Sequence, residues 1–254
     1  MHNIAVVIPC YNSSRTIESC VSSIYNQTVL PVEIIAVDDG SSDNTLTILQ
    51  NLKEQKPKAI EFHIISQKNS GPSSARNLGI KHASSDWIAF LDSDDKWEFD
   101  KIQRQLEIIK TDDSIVLCGT LYGSGQSINN HHITEISFKK LLFKNFFNTP
   151  TVLIKKSILN KVKFDENQKY SEDYKLWLNV CYKNKCVLLN AQLASNIDSK
   201  KVYGSSGLSS NLWEMQKGEF LNFFELYQDK KISLLLFLGV SVFSIIKFIK
   251  RLAF

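Results

Sequence analysis

Short apolar runs alternate with amphipathic stretches along the first half of the chain. Five runs rich in β-branched residues predict buried strands at residues 4–9, 32–37, 60–65, 87–91 and 115–121. Between these runs, apolar residues recur at helical spacing, as at Ile17, Cys20, Val21 and Ile24. Strands that alternate with helices predict an α/β fold, in which a mostly parallel, Rossmann-like central sheet is flanked by helices on both faces.

The pattern changes from residue 212 onward. Residues 212–227 predict an aromatic-rich amphipathic helix, and the fifteen residues 232–246 contain no charged side chain. A membrane-spanning helix needs about twenty apolar residues, so this run is short for one. It predicts a helix that lies along a surface instead of crossing a membrane.

A polar stripe runs along this last predicted helix: Ser241, Ser244, Lys247 and Arg251. We expect the helix to lie in the membrane interface, with its basic residues on anionic headgroups of the inner leaflet. Packing on the rest of the chain, or on a second copy in a homodimer, is the alternative.

Charge and cysteine content narrow the functional classes. The net charge is +4, but residues 230–254 hold five basic and no acidic residues, so the first 229 residues carry a net charge of −1. This distribution argues against nucleic-acid binding. The five cysteines form no CxxC pair, which argues against zinc, and free thiols suit a reducing cytosol. No basic, apolar leader precedes the first predicted strand, so we do not expect export.

Polar clusters follow four of the predicted strands: Tyr11 and Asn12, Asp38 and Asp39, residues 71–77, and Asp92, Asp94 and Asp95. Parallel strands end on one edge of a sheet, so we expect these clusters to converge in one crevice. Three carboxylates within four residues repel one another unless a cation lies between them, and Mg²⁺ or Mn²⁺ fits such oxygen ligands. An acidic helix N-terminus is the alternative. The chain lacks the GxGxxG and GxxxxGK[ST] phosphate loops, which argues against a dinucleotide dehydrogenase and a P-loop NTPase.

Five motifs in register carry a resemblance to a known family: IAVVIPCYN at 4–12, VDDGSSD at 37–43, GPSSARN at 71–77, FLDSDD at 90–95 and SEDYKLW at 171–177. Their order and spacing resemble those of family 2 glycosyltransferases over about residues 3–190. The resemblance implies the GT-A fold and inverting transfer of a sugar from a nucleotide-sugar. It implies a catalytic domain at 1–211, with a nucleotide-sugar half at about 1–122 and an acceptor half at about 123–211. The C-terminal helical, membrane-associating tail at 212–254 is predicted from its own apolar and basic pattern.

The resemblance also implies roles for individual residues. The residues implied in nucleotide binding are Pro9, Tyr11, Asn12, Asp38, Asp39, Arg76 and Asp92. The Tyr11 ring would pack on the pyrimidine, and Arg76 would approach the diphosphate. Asp39 would accept a hydrogen bond from the base N–H, which suits uracil, so a UDP-sugar is the expected donor.

The same resemblance implies the reacting groups. Asp94, together with Asp92, would hold the Mn²⁺ or Mg²⁺ ion. Asp173 would be the catalytic base that takes the proton of the acceptor hydroxyl, and Glu172 would orient it or raise its pKa.

A lipid-linked saccharide is the expected acceptor, as in O-antigen (lipopolysaccharide) or capsule synthesis, on the cytoplasmic face of a bacterial plasma membrane. A sugar nucleotidyltransferase, which would release pyrophosphate, and a non-catalytic sugar-nucleotide-binding protein are the alternatives. The family often carries a histidine before a Ser-rich turn. Residues 200–209 contain the turn but no histidine, and Lys200, Lys201 or Tyr203 are the candidates to replace it.

Overall fold

The computed structural model describes residues 3–123, 132–197 and 210–253. The strands in these ranges are β1 (Ile4–Cys10), β2 (Glu33–Asp38), β3 (Glu61–Ser66), β4 (Trp87–Phe90), β5 (Asp95–Trp97), β6 (Ile115–Tyr122), β7 (Ile133–Glu135), β8 (Leu153–Lys155) and β9 (Lys185–Asn196). The helices are α1 (Ile17–Tyr25), α2 (Thr45–Glu54), α3 (Pro72–His82), α4 (Lys101–Ile109), α5 (Phe138–Phe143), α6 (Lys156–Leu159), α7 (Glu172–Cys181), α8 (Leu212–Gln228) and α9 (Leu234–Ala253), and a 3₁₀ turn lies at Thr149–Thr151. The five strands predicted from apolar runs are confirmed.

The strands form one sheet in the order β3-β2-β1-β4-β8-β6-β9-β5, with β7 paired to β9. The first four strands in this order are parallel, as the alternation of strands and helices predicted. Strand β8 then lies antiparallel between β4 and β6, and β5 and β7 are antiparallel to β9. The sequence pattern missed β8 because three residues are too few to show a strand period.

The two faces of the sheet bury separate hydrophobic clusters, because neighbouring residues of a strand point to opposite faces. Ala5 and Val7 of β1 belong to one cluster, and Val6 and Ile8 belong to the other. All five cysteines are buried and free, as the sequence predicted. The fold class is therefore the predicted α/β sheet flanked by helices.

Helices α8 and α9 pack against the α/β unit. Phe223 of α8 and Val240 of α9 are fully buried and belong to the same hydrophobic cluster as Phe90 and Trp177. Among the described residues, no helix combines the length and the apolar character needed to cross a membrane.

Part of the polar stripe of α9 faces the protein, whereas Arg251 at its end is exposed. Contact of the basic tail residues with lipid headgroups stays a prediction. Ser241 and Ser244 are buried, and Lys247 donates a 2.8 Å hydrogen bond to Glu219 on α8. Ser244 Oγ also donates to Glu219, at 2.8 Å. The cause is the buried Glu219 carboxylate, which needs charged and polar partners once it leaves water.

The opposite face of α9 is apolar and exposed. Its exposed residues are Leu234, Leu235, Leu238, Val242, Phe243, Ile245, Ile246 and Ile249. Four apolar residues of α8 are exposed as well: Trp213, Phe220, Leu221 and Phe224. We call these two sets together the apolar tail surface.

Candidate active site

The loops that follow β1 to β4 are hydrogen-bonded to one another at the carboxyl edge of the sheet. Asn12 Oδ1 accepts from Ser42 N at 2.8 Å, which joins the first two loops. The hydroxyls of Ser13 and Ser93 lie 2.7 Å apart, which joins the first loop to the fourth. The predicted convergence of the polar clusters in one crevice is confirmed.

The residues implied at the base pocket lie in the first of these loops. Pro9 lies near the end of β1, and the Tyr11 side chain that follows is 53% exposed. Asn12 has a positive φ of 49°, a conformation that asparagine tolerates better than most residues. Tyr11 therefore presents its ring to solvent at the crevice, while Asn12 fixes the loop that carries it.

Asp38 and Asp39 are both buried at the end of β2. Asp38 Oδ1 accepts a 3.3 Å hydrogen bond from Ser41 N. Asp39 Oδ1 accepts from Gln67 Nε2 and Ser70 N, at 2.7 and 2.8 Å, and its Oδ2 accepts from Gly71 N at 2.8 Å. A carboxylate has about four lone-pair sites, so Asp39 shapes the loop before α3 and keeps one site for a further donor.

Arg76 joins the two acidic clusters of the chain. Its Nη2 donates to Asp92 Oδ1 at 2.7 Å, and its Nη1 donates to Glu172 Oε1 at 3.2 Å. The side chain is buried, and its guanidinium lies 5.2 Å from the centre of the Phe164 ring. Burial opposes the charged form, but the charge of Asp92 and then that of Glu172 outweigh it and raise the pKa of Arg76, so this group stays cationic between the carboxylates.

The three carboxylates after β4 lie in three different environments. Asp92 is paired with Arg76, whereas Asp94 is exposed and accepts from Asn196 Nδ2 at 3.4 Å. Asp95 is buried and accepts from the Tyr122 hydroxyl at 2.6 Å. Burial and the charge of Asp92 raise the pKa of Asp95 to about 8. The predicted repulsion is thus reduced by the Arg76 ion pair at Asp92, and the raised pKa of Asp95 favours its protonated form.

Asp94 and Asp92 have the chemistry that a hard divalent cation needs. Within the described ranges no three ligand side chains form a preassembled metal cluster. Mg²⁺ in nucleotide enzymes is commonly held by one or two carboxylates together with substrate phosphates, so a pair suffices. The donor set therefore fits Mn²⁺ or Mg²⁺.

Glu172 and Asp173 open α7 on the other side of Arg76. Ser171, which precedes them, has the left-handed conformation (φ 57°, ψ 25°). Burial and the neighbouring charge of Asp173 raise the pKa of Glu172 to about 7, and burial also raises the pKa of Asp173. Asp173 Oδ2 accepts from the Thr149 hydroxyl at 3.5 Å. Arg76 holds Glu172, so Asp173 is the carboxylate of the pair that has no direct ion pair with this arginine.

Several residues at the crevice were not found from the sequence. Thr149 lies on the 3₁₀ turn beside Asp173, and Asn196, at the end of β9, reaches Asp94 and Asp95. Gln67 contacts Asp39. Polar residues at strand ends are the only signal that could have pointed to them, and that signal is weak for isolated Thr, Asn and Gln. Residues 200–209, where the family histidine is missing, lie outside the described residues.

Replacing Arg76 by methionine should destabilise the fold. The change leaves Asp92 and the buried Glu172 without their shared cation, and removal of one partner of a buried pair costs about 3–5 kcal/mol. Asp92 is partly solvated, so we expect a loss of about 2–4 kcal/mol in the free energy of unfolding. Urea denaturation measures it.

The matched control is Lys217→Met, which breaks the exposed 2.7 Å pair with Glu214 on α8. Exposed pairs contribute less than about 1 kcal/mol. Equal stability losses in the Arg76 and Lys217 variants would contradict the structural role of Arg76.

Comparisons with known proteins agree with this geometry. The family model described as "Glycosyl transferase family 2" matches residues 5–167. The Escherichia coli protein WfgD, named UDP-Glc:alpha-D-GlcNAc-diphosphoundecaprenol beta-1,3-glucosyltransferase, is 30% identical, over 85% of this chain and 83% of the relative. A second E. coli protein, WfaP, has the same printed activity and is 31% identical, over 72% of each chain.

Solved structures share the fold. The S. aureus TarS structure (residues 1–349) in complex with UDP-GlcNAc superposes with a TM-score of 0.70 at 20% identity, covering 89% of this chain and 66% of that chain. The same S. aureus fragment in a second crystal structure gives a TM-score of 0.71 and covers 96% of this chain and 70% of that one. At this level of identity the comparison concerns the fold alone.

Proposed function

Since the chain belongs to glycosyl transferase family 2, a family of inverting glycosyltransferases, we propose that it moves a hexose or N-acetylhexosamine from a UDP-sugar to a lipid-linked saccharide acceptor. Two relatives at 30% and 31% identity have names that specify UDP-Glc as donor and a GlcNAc-diphosphoundecaprenol acceptor. The pathway that fits is synthesis of a surface polysaccharide such as an O-antigen.

The observation that carries this proposal is the position of Arg76 between Asp92 and Glu172. Asp92 follows β4, beside the loops implied in nucleotide binding, and Glu172 opens the helix that also carries Asp173. One arginine therefore ties the donor side to the acceptor side. A transfer reaction needs the donor and the acceptor next to each other, and this contact brings together the residues proposed for each of them.

Asp173 is the proposed base. The acceptor hydroxyl loses its proton as its oxygen attacks the anomeric carbon, and a carboxylate on the face opposite the leaving UDP takes that proton. A single displacement inverts the anomeric carbon. The pKa of Asp173 is raised by burial, so its basic form is lost at a higher pH than for an ordinary aspartate. Activity should accordingly decline as the pH falls through that raised pKa.

Asp94 is the proposed metal ligand, with Asp92 beside it. A bound Mn²⁺ or Mg²⁺ supplies positive charge that stabilises the diphosphate as it leaves. Asp92 keeps its hydrogen bond to Arg76 Nη2, which fixes the position of its Oδ1 atom. Asp94 is exposed, so its carboxylate is accessible to an incoming ion.

The loop around Asp39 is the proposed uracil site. The Tyr11 ring offers an exposed surface for base stacking, and the remaining acceptor site of Asp39 matches the N3–H of uracil. Cytosine has no hydrogen at that position and would turn the lone pair of its N3 toward the buried Asp39 carboxylate, which is unfavourable. Asn12 and Asp38 hold the two loops that form the pocket.

The test is a transfer assay with a defined acceptor. The full chain is incubated with Mn²⁺, a GlcNAc-diphosphate that carries a short alkyl chain, and each of a panel of UDP-, GDP- and CMP-sugars. We expect UDP release and a product one sugar heavier with one UDP-sugar. Pyrophosphate as the product would identify a nucleotidyltransferase, and no turnover with any donor would contradict the proposal.

The apolar tail surface is the proposed site of membrane contact, at the cytoplasmic leaflet where lipid-linked acceptors would be reached. It consists of exposed apolar residues. Two exposed lysines flank it: Lys230 on the turn before α9, and Lys250 on α9 itself. Burial of this surface among acyl chains stabilises the bound state through the hydrophobic effect, with added attraction of the lysines to anionic lipid. A homodimer formed through the same surface is the alternative.

Replacing Leu235 and Leu238 together by serine should release the protein from vesicles. Leu235 is 82% exposed and Leu238 is 50% exposed, so neither contributes much to the core. Each leucine contributes up to about 1.5–3 kcal/mol when buried, so vesicle affinity should fall at least tenfold. Flotation with vesicles of phosphatidylethanolamine and phosphatidylglycerol measures the bound fraction.

Phe99→Ser is the control, since Phe99 is 61% exposed but lies before α4, outside the apolar tail surface. Binding by the unmodified chain should persist in part at high salt, because the apolar contribution is not screened. Wild-type flotation of the double variant, or an unmodified chain that never floats, would contradict membrane contact. A dimer in analytical ultracentrifugation that the double variant loses would assign the surface to a second copy instead.

A further inference from the structure

Helix α8 lies against the turn that directly precedes the helix of the proposed base. The turn spans residues 168–171 and leads into Glu172 and Asp173 at the start of α7. Ser171 Oγ donates a 3.0 Å hydrogen bond to Met215 O, a backbone oxygen of α8. The contact is unexpected from the sequence, where α8 belongs to a tail that follows the catalytic domain.

Asn222 on α8 fixes the same turn from a second side. Its Nδ2 donates to Ser171 O at 3.0 Å, and its Oδ1 accepts from Gln168 Nε2 at 2.8 Å. Gln168 Nε2 also donates to Tyr170 O at 2.9 Å. Asn222 is 2% exposed, so water cannot replace these bonds. Both ends of the turn are thus held by one side chain of α8.

Gly218 lets the helix approach the turn at backbone distance. A Cβ atom at this position would lie 2.3 Å from Tyr170 O and 3.0 Å from the Tyr170 carbonyl carbon. Real Cβ atoms do not occur at such distances from backbone, so any other residue at 218 would push α8 and the turn apart. The fit between the two elements depends on the absence of a side chain there.

The conformation that these contacts maintain is the left-handed Ser171. A non-glycine residue persists in this region only where its surroundings determine it, and it is found most often at functional sites. Ser171 directly precedes α7, so its φ and ψ angles set the direction in which the first turn of the helix projects. Asp173 lies two residues further on, in that first turn.

We propose that Gly218 and Asn222 of α8 are positioning residues, which hold the 168–171 turn so that Asp173 points at the acceptor hydroxyl. The inference rests on the proposed function, because it takes Asp173 as the base. Displacement of a reacting group by about 1 Å can cost about a hundredfold in rate. The two residues act through Ser171 on the chemical step and leave the donor site, on the loops after β1 to β4, in place.

The variants Gly218→Ala and Asn222→Ala test the proposal, each with a matched control. Gly239→Ala is the control for Gly218, since a Cβ at 239 on α9 meets nothing within 4 Å. Gln216→Ala is the control for Asn222, because Gln216 on α8 donates to Ser244 Oγ and not to the turn. The readouts are kcat for transfer to the GlcNAc-diphosphate acceptor and the number and Kd of UDP sites by calorimetry.

Dividing kcat by the number of UDP sites separates positioning from stability, because an unfolded fraction lowers both quantities together. We expect kcat per UDP site to fall at least tenfold in Gly218→Ala and Asn222→Ala, with Kd for UDP unchanged and both controls within twofold of the unmodified chain. Asn222→Ala removes atoms without adding any, so it serves if Gly218→Ala does not fold. Unchanged kcat per UDP site in Asn222→Ala would overturn the proposal. Full activity in Asp173→Asn would instead refute the proposed base itself.

Discussion

Replacing Asp173 by asparagine is expected to abolish transfer while leaving donor binding intact. The amide has the size of the carboxylate but cannot take a proton, so the acceptor hydroxyl loses its general base. Loss of one general base costs about a hundredfold to ten-thousandfold in kcat. Calorimetry with UDP should give the Kd of the unmodified chain, because the first four strand loops, and not α7, form the proposed nucleotide site.

Glu172→Gln is the matched control for this experiment. Glu172 is already held by Arg76 Nη1 at 3.2 Å, so its carboxylate is engaged before the substrates arrive. We expect this variant to keep transfer within about tenfold of the unmodified chain. A reversal, in which Asp173→Asn remains active and Glu172→Gln is inactive, would move the base to Glu172.

Replacing Asp94 by alanine is expected to remove turnover and metal-dependent UDP binding together. Metal charge stabilisation supplies several kcal/mol in such reactions, which corresponds to about a hundredfold to a thousandfold in rate. UDP affinity measured in Mn²⁺ should fall to the value measured in EDTA. The structure supports this expectation through the exposure of Asp94 at the crevice, two residues after Asp92.

Asp113→Ala is the control for the metal experiment. Asp113 is an exposed acid two residues before β6, at the opposite edge of the sheet from Asp94. Replacing Asp113 changes the net charge of the protein by the same amount as replacing Asp94, but it leaves the crevice unchanged. If the Asp94 variant bound Mn²⁺–UDP as tightly as the Asp113 variant, Asp94 would not be a metal ligand.

The sequence predicted which side chains meet at the crevice better than it predicted what they do there. Strand ends in a parallel sheet share an edge, so the placement of Asp39, Arg76 and Asp92 follows from local pattern. Their mutual contacts do not, since Arg76 and Glu172 are 96 residues apart along the chain. Arg76, which the sequence predicted as a phosphate ligand, therefore also forms ion pairs with two carboxylates, and the spacing of residues along the chain does not predict these pairs.

The tail shows a second limit of sequence pattern. A polar stripe predicts two distinct helix faces but not which face is buried. On α9 Lys247 and Ser244 of the stripe turn inward because the buried Glu219 of α8 requires them as partners. Gly218 could not be recognised for a related reason, since its neighbour Tyr170 is brought to it only by the fold.

The antiparallel strand β8 has a consequence for synthesis of the chain on the ribosome. The parallel strands β1 to β4 are complete once Phe90 has emerged, but the edge of β4 stays without its neighbour until Lys155 has been added. Ribosomes add about 5–20 residues per second, so this edge stays open for about 3–13 s. During that interval, nascent chains on neighbouring ribosomes could pair through it, and this is the stage at which a bound chaperone would be most useful.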